Sequence, residues 1–321
     1  MAETLLITGG AGFIGSHLAE GALADGHRVI VLDNLSTGRR ENVPPGAELV
    51  ERDLRDEGLE ELLRERGVTV VSHHAAQANV RVSVEQPMLD AEANVLGSLK
   101  LIQACRHTGV RRLLFASSGG TVYGEQEAFP CDEDHPTRPL SPYGCSKLAV
   151  ELYLLAYGRL GDLDPLIVRY ANIYGARQDP KGEAGIIAIF AERLLRGEPP
   201  RIFGDGLQTR DYVHVSDVVA VQRAALGADK PGQWVTGVFN VGTGVETTLR
   251  SLYSKVQKGL GLGPVEPLYL PENRGELRRS ALSHRRLAEM LGVAPTVELD
   301  AGLAQTLPYY RQRQQARLEA R

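Results

Sequence analysis

Residues 8–15 read Thr8-Gly9-Gly10-Ala11-Gly12-Phe13-Ile14-Gly15 and lie between a short apolar run and a segment with helical periodicity. Glycine recurs at every third position, at Gly9, Gly12 and Gly15. Such spacing allows a tight turn, a close approach of the backbone to a pyrophosphate, and a helix N-terminus whose free N–H groups favour anions. A glycine turn without a ligand is the alternative, but the flanking strand and helix favour a dinucleotide-binding loop.

Outward from this loop, short apolar runs alternate with amphipathic segments through the first half of the chain. The predicted strands are 4–8, 29–32, 48–51, 68–72, 112–116 and 165–169, and the predicted helices are 16–25, 57–66, 89–107 and 143–160. Alternation of this kind builds a parallel sheet with helices on both faces. The sequence therefore predicts an α/β fold: a doubly wound parallel (Rossmann) sheet with a smaller mixed α/β C-terminal substrate domain.

The second half of the chain is less regular. Helical patterns occur within 182–200 and at 215–226, 247–260, 284–291 and 300–310, and strand-like runs at 201–203 and 238–241. Because residues 238–241 are apolar enough for a buried strand, we expect the chain to return to the first domain there. The predicted domains are an NAD-binding domain of residues 1–172, joined again by 212–243, and a substrate-binding domain of 173–211 and 244–321. Residues 312–321 are polar and are expected to fray.

The composition argues against several classes of protein. The 321 residues are 43% hydrophobic and 24% charged, ordinary values for a soluble globular protein. A net charge of -4 provides no basic field for nucleic acid, and no apolar run approaches the length of a membrane span. The first seven residues lack the features of a signal peptide, and the three cysteines show no CxxC pairing. We therefore expect a cytoplasmic protein that binds neither nucleic acid nor membrane.

The cofactor is predicted from the residues that follow successive strands. Asp33 ends the second strand, where a carboxylate can accept hydrogen bonds from both adenosine ribose hydroxyls and would repel a 2'-phosphate, which favours NAD over NADP. Arg39 and Arg40 lie nearby, where a solvated loop is favoured over a phosphate contact. The predicted cofactor-binding residues are Gly9, Gly12, Phe13, Ile14, Gly15, Asp33, Asn34, Asp53, Leu54, Ala75, Ala76, Tyr143 and Lys147.

Two of these positions have alternatives. Asp53 and Leu54 follow the third strand, where an adenine contact is predicted, but Asp53 could instead cap the helix expected at residue 57. The run His73-His74-Ala75-Ala76 follows the fourth strand, where small residues let the backbone approach the cofactor. Neighbouring histidines on an extended chain point to opposite faces, and no third ligand is indicated, so no metal site is predicted.

A tyrosine and a lysine lie four residues apart in Tyr143-Gly144-Cys145-Ser146-Lys147, hence on one face of a helix. A free tyrosine is a poor base at neutral pH, but a nearby ammonium and a positive nicotinamide favour the phenolate and lower its pKa. Such pairs also occur on helices by chance. The run from Leu113 to Gly124, a buried strand that leads into hydroxyl residues, argues against chance. Together with the glycine loop, the pair predicts redox chemistry on an alcohol.

In their order along the chain, these motifs resemble the extended short-chain dehydrogenase/reductase family. The resemblance rests on residues 8–15, 33–35, 117–124, 141–147, 169–175, 204–206, 210–215 and 240–244. Within the family, the chain is most similar to the bacterial UDP-glucose (UDP-galactose) 4-epimerases. The likeness implies NAD as the cofactor, a UDP-hexose as the substrate, and a homodimer formed through the two long helices. Apolar residues on these helices that are expected to be shared between the interface and the sheet are Leu96, Leu99, Val150 and Leu154.

The resemblance also implies roles for individual residues. Tyr143 would be the acid/base for the sugar 4-hydroxyl and Lys147 its electrostatic partner. Asn94 would brace the active site, Asn172 would contact the substrate diphosphate or its base, and Arg210 would pair with the diphosphate. A surface ion pair with Asp211 or Asp217 is the alternative for Arg210. The predicted substrate-binding residues are Asn94, Thr121, Asn172, Arg210 and Arg274.

One departure from the family concerns the catalytic hydroxyl. Gly119 stands where the family carries a Ser or Thr. We predict that Ser118 supplies the hydroxyl as a catalytic residue with Tyr143 and Lys147. Thr121, or a water molecule, is the alternative.

A second departure lies near the C-terminus. The family's Arg-x-Gly-Asp motif reads Asn273-Arg274-Gly275-Glu276, so the arginine is displaced by one residue. In 4-epimerases of this family, the residue four positions past the acidic one limits the size of the sugar 2-substituent. That residue is Ser280, whose small side chain is expected to admit N-acetyl groups. A solvent-facing Ser280 is the alternative.

The residues after the fifth strand predict which reaction follows oxidation at C4. Family dehydratases carry an Asp-Glu pair there and decarboxylases typically a Glu, whereas this chain has Gly119-Gly120-Thr121. With no second acid/base, we predict 4-epimerisation through a transient 4-keto sugar. The alternatives are a UDP-N-acetylhexosamine or UDP-uronic acid as substrate, another nucleotide-sugar dehydratase or decarboxylase, or a non-catalytic NAD-sensing protein. The last would be expected to lack Tyr143 or Lys147, and both are present.

Overall fold

The computed structural model describes residues 2–180, 185–227, 234–272 and 277–319. Its strands are β1 (Thr4–Thr8), β2 (Arg28–Asp33), β3 (Glu48–Glu51), β4 (Val70–His73), β5 (Arg112–Ser118), β6 (Asp164–Tyr170), β7 (Asn172–Tyr174), β8 (Arg201–Phe203), β9 (Thr209–Arg210), β10 (Tyr212–His214), β11 (Gly237–Val241), β12 (Thr247–Thr248) and β13 (Leu268–Leu270). Its α-helices are α1 (Phe13–Ala24), α2 (Leu59–Arg66), α3 (Val80–Glu85), α4 (Pro87–Ala91), α5 (Gly97–Thr108), α6 (Gly119–Val122), α7 (Pro142–Arg159), α8 (Ile186–Leu195), α9 (Val215–Ala225), α10 (Leu249–Gly259), α11 (Arg285–Leu291) and α12 (Leu299–Glu319). A 3-10 turn covers Arg40–Asn42 and a π-helical turn covers Glu92–Leu96.

The central sheet has seven parallel strands in the order β11-β6-β5-β4-β1-β2-β3. Strand β1 pairs with β2 on one side and with β4 on the other, so the strand order reverses beside it. In sheets of this type, the crevice at the carboxyl ends of such strands is where ligands bind. The predicted doubly wound Rossmann sheet is confirmed.

Apolar side chains fill both faces of this sheet, as expected for a parallel sheet covered by helices. One core joins the sheet to α1 and α9 through residues such as Leu18 and Val218, and the other joins it to α2, α5 and α7 through residues such as Leu63 and Leu154. A third core lies among α8, α10 and α12. The site-bearing ends of the strands are therefore held by a rigid layered scaffold.

Strand β11 comes late in the chain but lies at the edge of the central sheet. Its residues pair in parallel register with β6, from Gly237 opposite Leu166 to Val241 opposite Tyr170. The smaller sheets pair β7 with β10, β9 with β12, and β8 with β13. The division into an NAD-binding and a substrate-binding domain stays a prediction.

Two helical predictions need correction. The single helix predicted at 89–107 is divided into α4, the π-helical turn and α5, so the residues around Asn94 do not follow a regular α-helical repeat. The tail predicted to fray from residue 312 is helical as far as Glu319. An ion pair between Arg317 and Glu192 attaches this last part of α12 to α8, which the polar composition did not reveal.

The four apolar residues considered for the dimer interface lie at different depths in the protomer. Val150 and Leu154 are fully buried inside the protomer, because they pack against the sheet. Leu96 is exposed and Leu99 is partly buried. The exposed apolar side chains of α4, the π-helical turn and α7 are Met88, Leu89, Leu96, Leu152 and Tyr153, with Leu160 just beyond α7.

The described cysteines form no disulfide: Cys105 and Cys131 are buried and Cys145 is exposed. Within the described ranges, no helix has both the length and the apolar content needed to cross a membrane.

Candidate active site

The glycine loop forms a cradle that only residues without a side chain can line. Gly9 has φ of +68°, and a Cβ added there would lie 2.7 Å from the backbone nitrogen of Ala75. A Cβ at Gly15 would lie 2.3 Å from the carbonyl oxygen of Gly9. Helix α1 begins at Phe13 with Gly12 as its N-cap and without a capping side chain, and Phe13 and Ile14 are half-buried in its first turn. The backbone N–H groups of this turn are therefore suited to an anion such as a pyrophosphate.

The carboxylate of Asp33 ties this loop to the end of β2. Its Oδ2 accepts from the backbone N–H of Ala11 at 3.0 Å and its Oδ1 from that of Leu35 at 2.8 Å. A carboxylate has about four acceptor positions, so these two bonds leave capacity for ribose hydroxyls. The residues present thus fit a dinucleotide with a free adenosine 2'-hydroxyl.

Asp53 lies beside Asn34, which donates from Nδ2 to its Oδ2 at 2.8 Å. Hydrogen bonds from Arg55 hold the pKa of the Asp53 carboxyl well below its usual range, with burial acting in the opposite direction. The alternative cap role is wrong, because helix α2 begins at Leu59 with Gly58 as its N-cap. Leu54 is buried in the core, and an adenine contact for this pair stays a prediction.

The two histidines at the end of β4 point to opposite sides of the strand. His73 contacts Thr8 Oγ1 through Nδ1 at 2.7 Å and Ser98 Oγ through Nε2 at 2.8 Å. His74 contacts the hydroxyl of Tyr170 through Nε2 at 3.2 Å, and burial lowers its pKa to about 3. Among the described residues, no group of three potential metal ligands comes together.

Small residues follow these histidines beside the glycine loop. The backbone N–H of Ala75 donates to Thr8 Oγ1 at 3.2 Å, and both Ala75 and Ala76 are half-buried. A Cβ added at Gly9 would lie 2.7 Å from the backbone nitrogen of Ala75, so the backbone of this segment lies against the glycine loop and forms one wall of the crevice.

Tyr143 and Lys147 occupy one face of α7, directly after its N-cap Ser141. Lys147 is buried, donates from Nζ to the carbonyl oxygen of Ala116 at 2.9 Å, and lies 5.7 Å from the centre of the Tyr143 ring. Burial lowers the pKa of Lys147 to about 8, while the carboxylates of Asp90 and Glu151 act in the opposite direction. The structure therefore brings the predicted acid/base pair to the carboxyl ends of β4 and β5.

The predicted effect of this pair on tyrosine acidity is not found in the protein by itself. Burial raises the pKa of Tyr143, and the negative charge of Asp90 raises it further. The ammonium of Lys147 is directed to the backbone carbonyl of Ala116, and burial and Asp90 determine the direction of the shift in the Tyr143 pKa. Among the protein's own groups, the balance favours the neutral phenol.

Asn94 lies in the π-helical turn, with its amide group fully engaged. Its Oδ1 accepts from the backbone N–H of Gln77 at 2.8 Å, and its Nδ2 donates to the Gln77 carbonyl and to Asp90 Oδ1, both at 2.9 Å. Asn94 is 3% exposed, and both its bracing role and its predicted contact with the substrate stay predictions.

Sequence reasoning missed a buried ion pair that follows Tyr143 and Lys147 on α7. Glu151 accepts from Arg169 Nη2 at 2.6 Å and from the hydroxyl of Ser117, and Arg169 Nη1 donates to the hydroxyl of Tyr123 at 2.9 Å. Glu151 follows Lys147 by four residues on α7, just as Lys147 follows Tyr143. This repeated spacing was the available signal, since it places all three side chains in one row.

The hydroxyl candidates lie at the end of β5. Ser118 precedes α6, and its carbonyl oxygen accepts from Thr121 Oγ1 at 3.3 Å, so the Thr121 hydroxyl has a partner within the protein. A Cβ at Gly119 would lie 2.4 Å from Cδ1 of Leu282, a side chain with no exposed surface. Leu282 therefore occupies the space that a family Ser or Thr would need.

The predicted diphosphate contacts lie around Asp211. The backbone N–H of Asn172 donates to the Asp211 carbonyl at 2.9 Å, and Arg210 is half-buried with Nη1 donating to the Thr209 carbonyl at 2.8 Å. The Asp211 carboxylate accepts from the backbone N–H groups of Thr243, Gly244 and Leu282, a role that sequence reasoning did not assign. Arg274 lies outside the described residues.

Ser280 is buried, so the solvent-facing alternative is wrong. It is 1% exposed, and its Oγ lies 3.4 Å from Nε2 of Gln126. The next residue, Ala281, donates from its backbone N–H to Gln126 Oε1 at 3.0 Å. Ser280 thus belongs to the packed segment that also carries Leu282.

Comparison with known proteins gives a match to one family model and three likenesses over nearly the whole chain. A family model described as the NAD dependent epimerase/dehydratase family matches residues 5–242. A UDP-glucose 4-epimerase from Mycolicibacterium smegmatis is 47% identical over 315 residues, which cover 97% of this chain and 99% of that protein. The crystal structure of a UDP-glucose 4-epimerase with UDP-glucose from Thermotoga maritima has a TM-score of 0.91 at 44% identity, covering 97% of this chain and 99% of that one. The crystal structure of a Thermus thermophilus UDP-glucose 4-epimerase in complex with NAD has a TM-score of 0.89 at 47% identity. The match covers 96% of this chain and 99% of that one.

Proposed function

Since the chain belongs to the NAD-dependent epimerase/dehydratase family, we propose that it interconverts UDP-glucose and UDP-galactose by epimerisation at C4. The observation that carries this proposal is the Tyr143–Lys147 pair beside a glycine cradle that fits NAD. The chemistry that NAD supplies when bound is that of a hydride acceptor and donor for C4 of the sugar. Gly9, Gly12, Gly15 and Asp33 would hold it.

The protein's own residues transfer the proton of the sugar 4-hydroxyl. Tyr143 takes the proton of the sugar 4-hydroxyl as the alcohol becomes a 4-keto group, and returns it when the opposite face of the ketone is reduced. Lys147 stabilises the phenolate by its charge. Ser118 at the end of β5 is proposed to donate a hydrogen bond to the same oxygen, with Thr121 as the alternative.

The remaining contacts complete the proposal. Asn172 and Arg210 are proposed to bind the diphosphate or base of the substrate from the segment around Asp211. Arg274 is proposed as a further substrate-binding residue, and its substitution is tested alongside theirs. The segment from β4 to α5 braces the site through Asn94. The proposed NAD-binding domain is 1–172 with 212–243, and the proposed substrate-binding domain comprises 173–211 and 244–321.

The proposed reaction is tested by incubating the protein with a panel of UDP- and dTDP-sugars and resolving the products by chromatography. We expect interconversion of UDP-glucose and UDP-galactose. Tyr143→Phe is expected to abolish turnover while calorimetry shows nearly unchanged UDP-sugar binding, because only the transferable proton is lost. Tyr157→Phe on the same helix is the matched control and is expected to retain activity. Substantial turnover by Tyr143→Phe would show that another group is the base.

The small Ser280 favours a second candidate activity, the 4-epimerisation of UDP-N-acetylhexosamines. Its side chain lies within the packed segment against Gln126, so a larger residue there would have to displace neighbouring groups. Ser280→Tyr is expected to lower kcat/KM for UDP-GalNAc relative to UDP-galactose, with Ser280→Ala as the control. An unchanged ratio in Ser280→Tyr would show that this residue does not control the size of the 2-substituent.

A homodimer through the exposed apolar side chains of α4, the π-helical turn and α7 is also proposed. Met88, Leu96 and Leu152 are 71%, 54% and 60% exposed, and together they provide an apolar surface of the kind that marks interfaces. Sedimentation at micromolar concentration is expected to show a dimer, and Leu152→Asp is expected to shift it towards monomer. A wild-type monomer under these conditions contradicts the proposal.

A further inference from the structure

Asp90 is a buried carboxylate at a junction of three segments. It has no exposed surface, and its carboxylate is held by hydrogen bonds from neutral groups. Its Oδ1 accepts from Gln77 Nε2 and from Asn94 Nδ2, both at 2.9 Å, and its Oδ2 accepts from Ser146 Oγ at 2.6 Å. A buried charge is costly unless hydrogen bonds compensate it, and here three neutral donors do so.

These three donors come from three segments whose relative positions matter for the proposed reaction. Gln77 follows the backbone wall at Ala75 and Ala76, Asn94 lies in the π-helical turn, and Ser146 directly precedes Lys147 on α7. Asp90 therefore connects the cofactor crevice to the turn of helix that carries the catalytic pair.

The same hydrogen-bonded network continues to the first strand of the sheet. The carbonyl oxygen of Asn94 accepts from Ser98 Oγ at 2.5 Å, and Ser98 Oγ contacts His73 Nε2 at 2.8 Å. His73 Nδ1 contacts Thr8 Oγ1 at 2.7 Å, at the start of the glycine loop. A chain of polar contacts thus runs from Thr8 through His73, Ser98 and Asn94 to Asp90, whose carboxylate contacts Ser146 on α7.

The charged and titratable groups facing Tyr143 and Lys147 come from several elements. Asp90 faces both from α4, and Glu151 faces Lys147 from α7 itself. Arg169 of β6 neutralises Glu151 through a direct ion pair. His73 and His74 at the end of β4 interact with Lys147, and burial lowers the pKa of both, so they are neutral near pH 7. Asp90 is therefore the carboxylate in this set whose hydrogen bonds come from neutral donors, and its charge acts on both Tyr143 and Lys147.

We propose that Asp90 is a positioning residue for the proposed reaction: it fixes the Ser146–Lys147 turn of α7 against the cofactor crevice and places a negative charge beside Tyr143 and Lys147. The inference rests on the proposed function only in assigning Tyr143 and Lys147 to catalysis. The hydrogen bonds and the charge are properties of the chain itself.

The two parts of this role are separated by two variants. Asp90→Asn removes the charge and leaves an amide among three donors. Ser146→Ala removes one hydrogen bond and leaves the charge in place. Glu92→Gln is the control, because it removes an exposed carboxylate two residues further along the chain.

The first measurement requires no turnover. The ionisation of Tyr143 is followed by tyrosinate absorbance in the NAD-loaded protein, as the difference between each protein and the same protein carrying Tyr143→Phe. In Asp90→Asn, the pKa of Tyr143 is expected to fall by about one unit, because a neighbouring negative charge is lost. Ser146→Ala and Glu92→Gln are expected to titrate like the wild type. A wild-type titration curve for Asp90→Asn overturns the electrostatic part.

The second measurement is the pH dependence of kcat for UDP-galactose. Asp90→Asn is expected to move the profile to lower pH by about one unit. Ser146→Ala is expected to lower kcat by roughly 10-fold with KM nearly unchanged and the profile in place, since only orientation is affected. An unchanged kcat in Ser146→Ala overturns the positioning part, even where Asp90→Asn does not fold.

The outcomes also distinguish this inference from the proposed function. If the wild type does not epimerise any sugar of the panel, the proposed function fails, while the tyrosinate titration still decides the charge of Asp90. If the wild type epimerises UDP-galactose and neither variant differs from it, the role of Asp90 fails alone.

Discussion

Substitutions at Gly119 and Leu282 should have coupled effects on the free energy of unfolding, because the Leu282 side chain fills the space beside Gly119. A Cβ at Gly119 would lie 2.4 Å from Leu282 Cδ1 and 3.2 Å from its Cδ2. Carbon atoms in favourable contact are about 3.5–4.0 Å apart, so the Leu282 methyl group would have to move by about 1 Å or more. Leu282 has no exposed surface, and its backbone N–H is held by Asp211 at 3.1 Å, which restricts such a movement.

These contacts set the size of the expected effects. Gly119→Ala should lower the free energy of unfolding by about 1–3 kcal/mol, the usual cost of an overpacked core. Leu282→Ala alone should cost about 2–5 kcal/mol, because it leaves a cavity. In the double variant the new methyl group enters that cavity, so we expect a stability close to that of Leu282→Ala and a coupling of about 1–3 kcal/mol.

The assay is urea unfolding followed by the fluorescence of Trp234, the single tryptophan, whose Nε1 donates to the Asp164 carbonyl at 2.8 Å at the start of β6. Gly120→Ala is the matched control, since a Cβ there meets no atom within 4 Å. It is expected to be neutral or slightly stabilising. Additive effects of Gly119→Ala and Leu282→Ala, or a Gly119→Ala variant as stable as Gly120→Ala, would refute the reasoning.

Three further outcomes are expected. Asp33→Asn should weaken NAD binding and relax the rejection of NADP, and calorimetry that finds both affinities unchanged contradicts the role of Asp33. Ser118→Ala should lower kcat by about 100-fold and more than Thr121→Ala does; equal kcat values in both variants and the wild type would mean that no protein hydroxyl is needed. Glu151→Gln should lower the free energy of unfolding by about 3–5 kcal/mol, because Arg169 keeps its charge in a buried site, and urea midpoints within error of the wild type would speak against this.

The fold was predictable because its signals are local. Each strand of the first half carries a short apolar run, and the glycine spacing at residues 9–15 marks where the first strand turns into a helix. Strand β3 was predicted with the bounds that it has, 48–51. The division of the helix around Asn94 was not predicted; in the structure, Asn94 in the π-helical turn is hydrogen-bonded to Gln77, seventeen residues earlier in the chain, a contact that helical periodicity does not reveal.

The site was predictable where residue spacing carries the chemistry. Tyr143 and Lys147 follow the helical repeat, and Asp33 follows a strand, so both could be placed from the sequence. The shift in the Tyr143 pKa could not be predicted from the sequence. Its direction is set by burial and by Asp90, which lies more than fifty positions away in the chain. The same holds for Gly119, whose space is filled by Leu282 from the other half of the chain.

The late position of β11 has a consequence for synthesis on the ribosome. Strand β6 ends at Tyr170, but its open edge is covered only when residues up to Val241 have emerged. At a translation rate of 5–20 residues per second, those ~70 residues take roughly 4–14 s, during which an unpaired edge is available to other chains. Helix α9, which covers α1, is made in the same interval. The nascent protein therefore exposes the unpaired edge of β6 until β11 has been made, and chaperone binding during this interval would protect that edge from pairing with a neighbouring nascent chain.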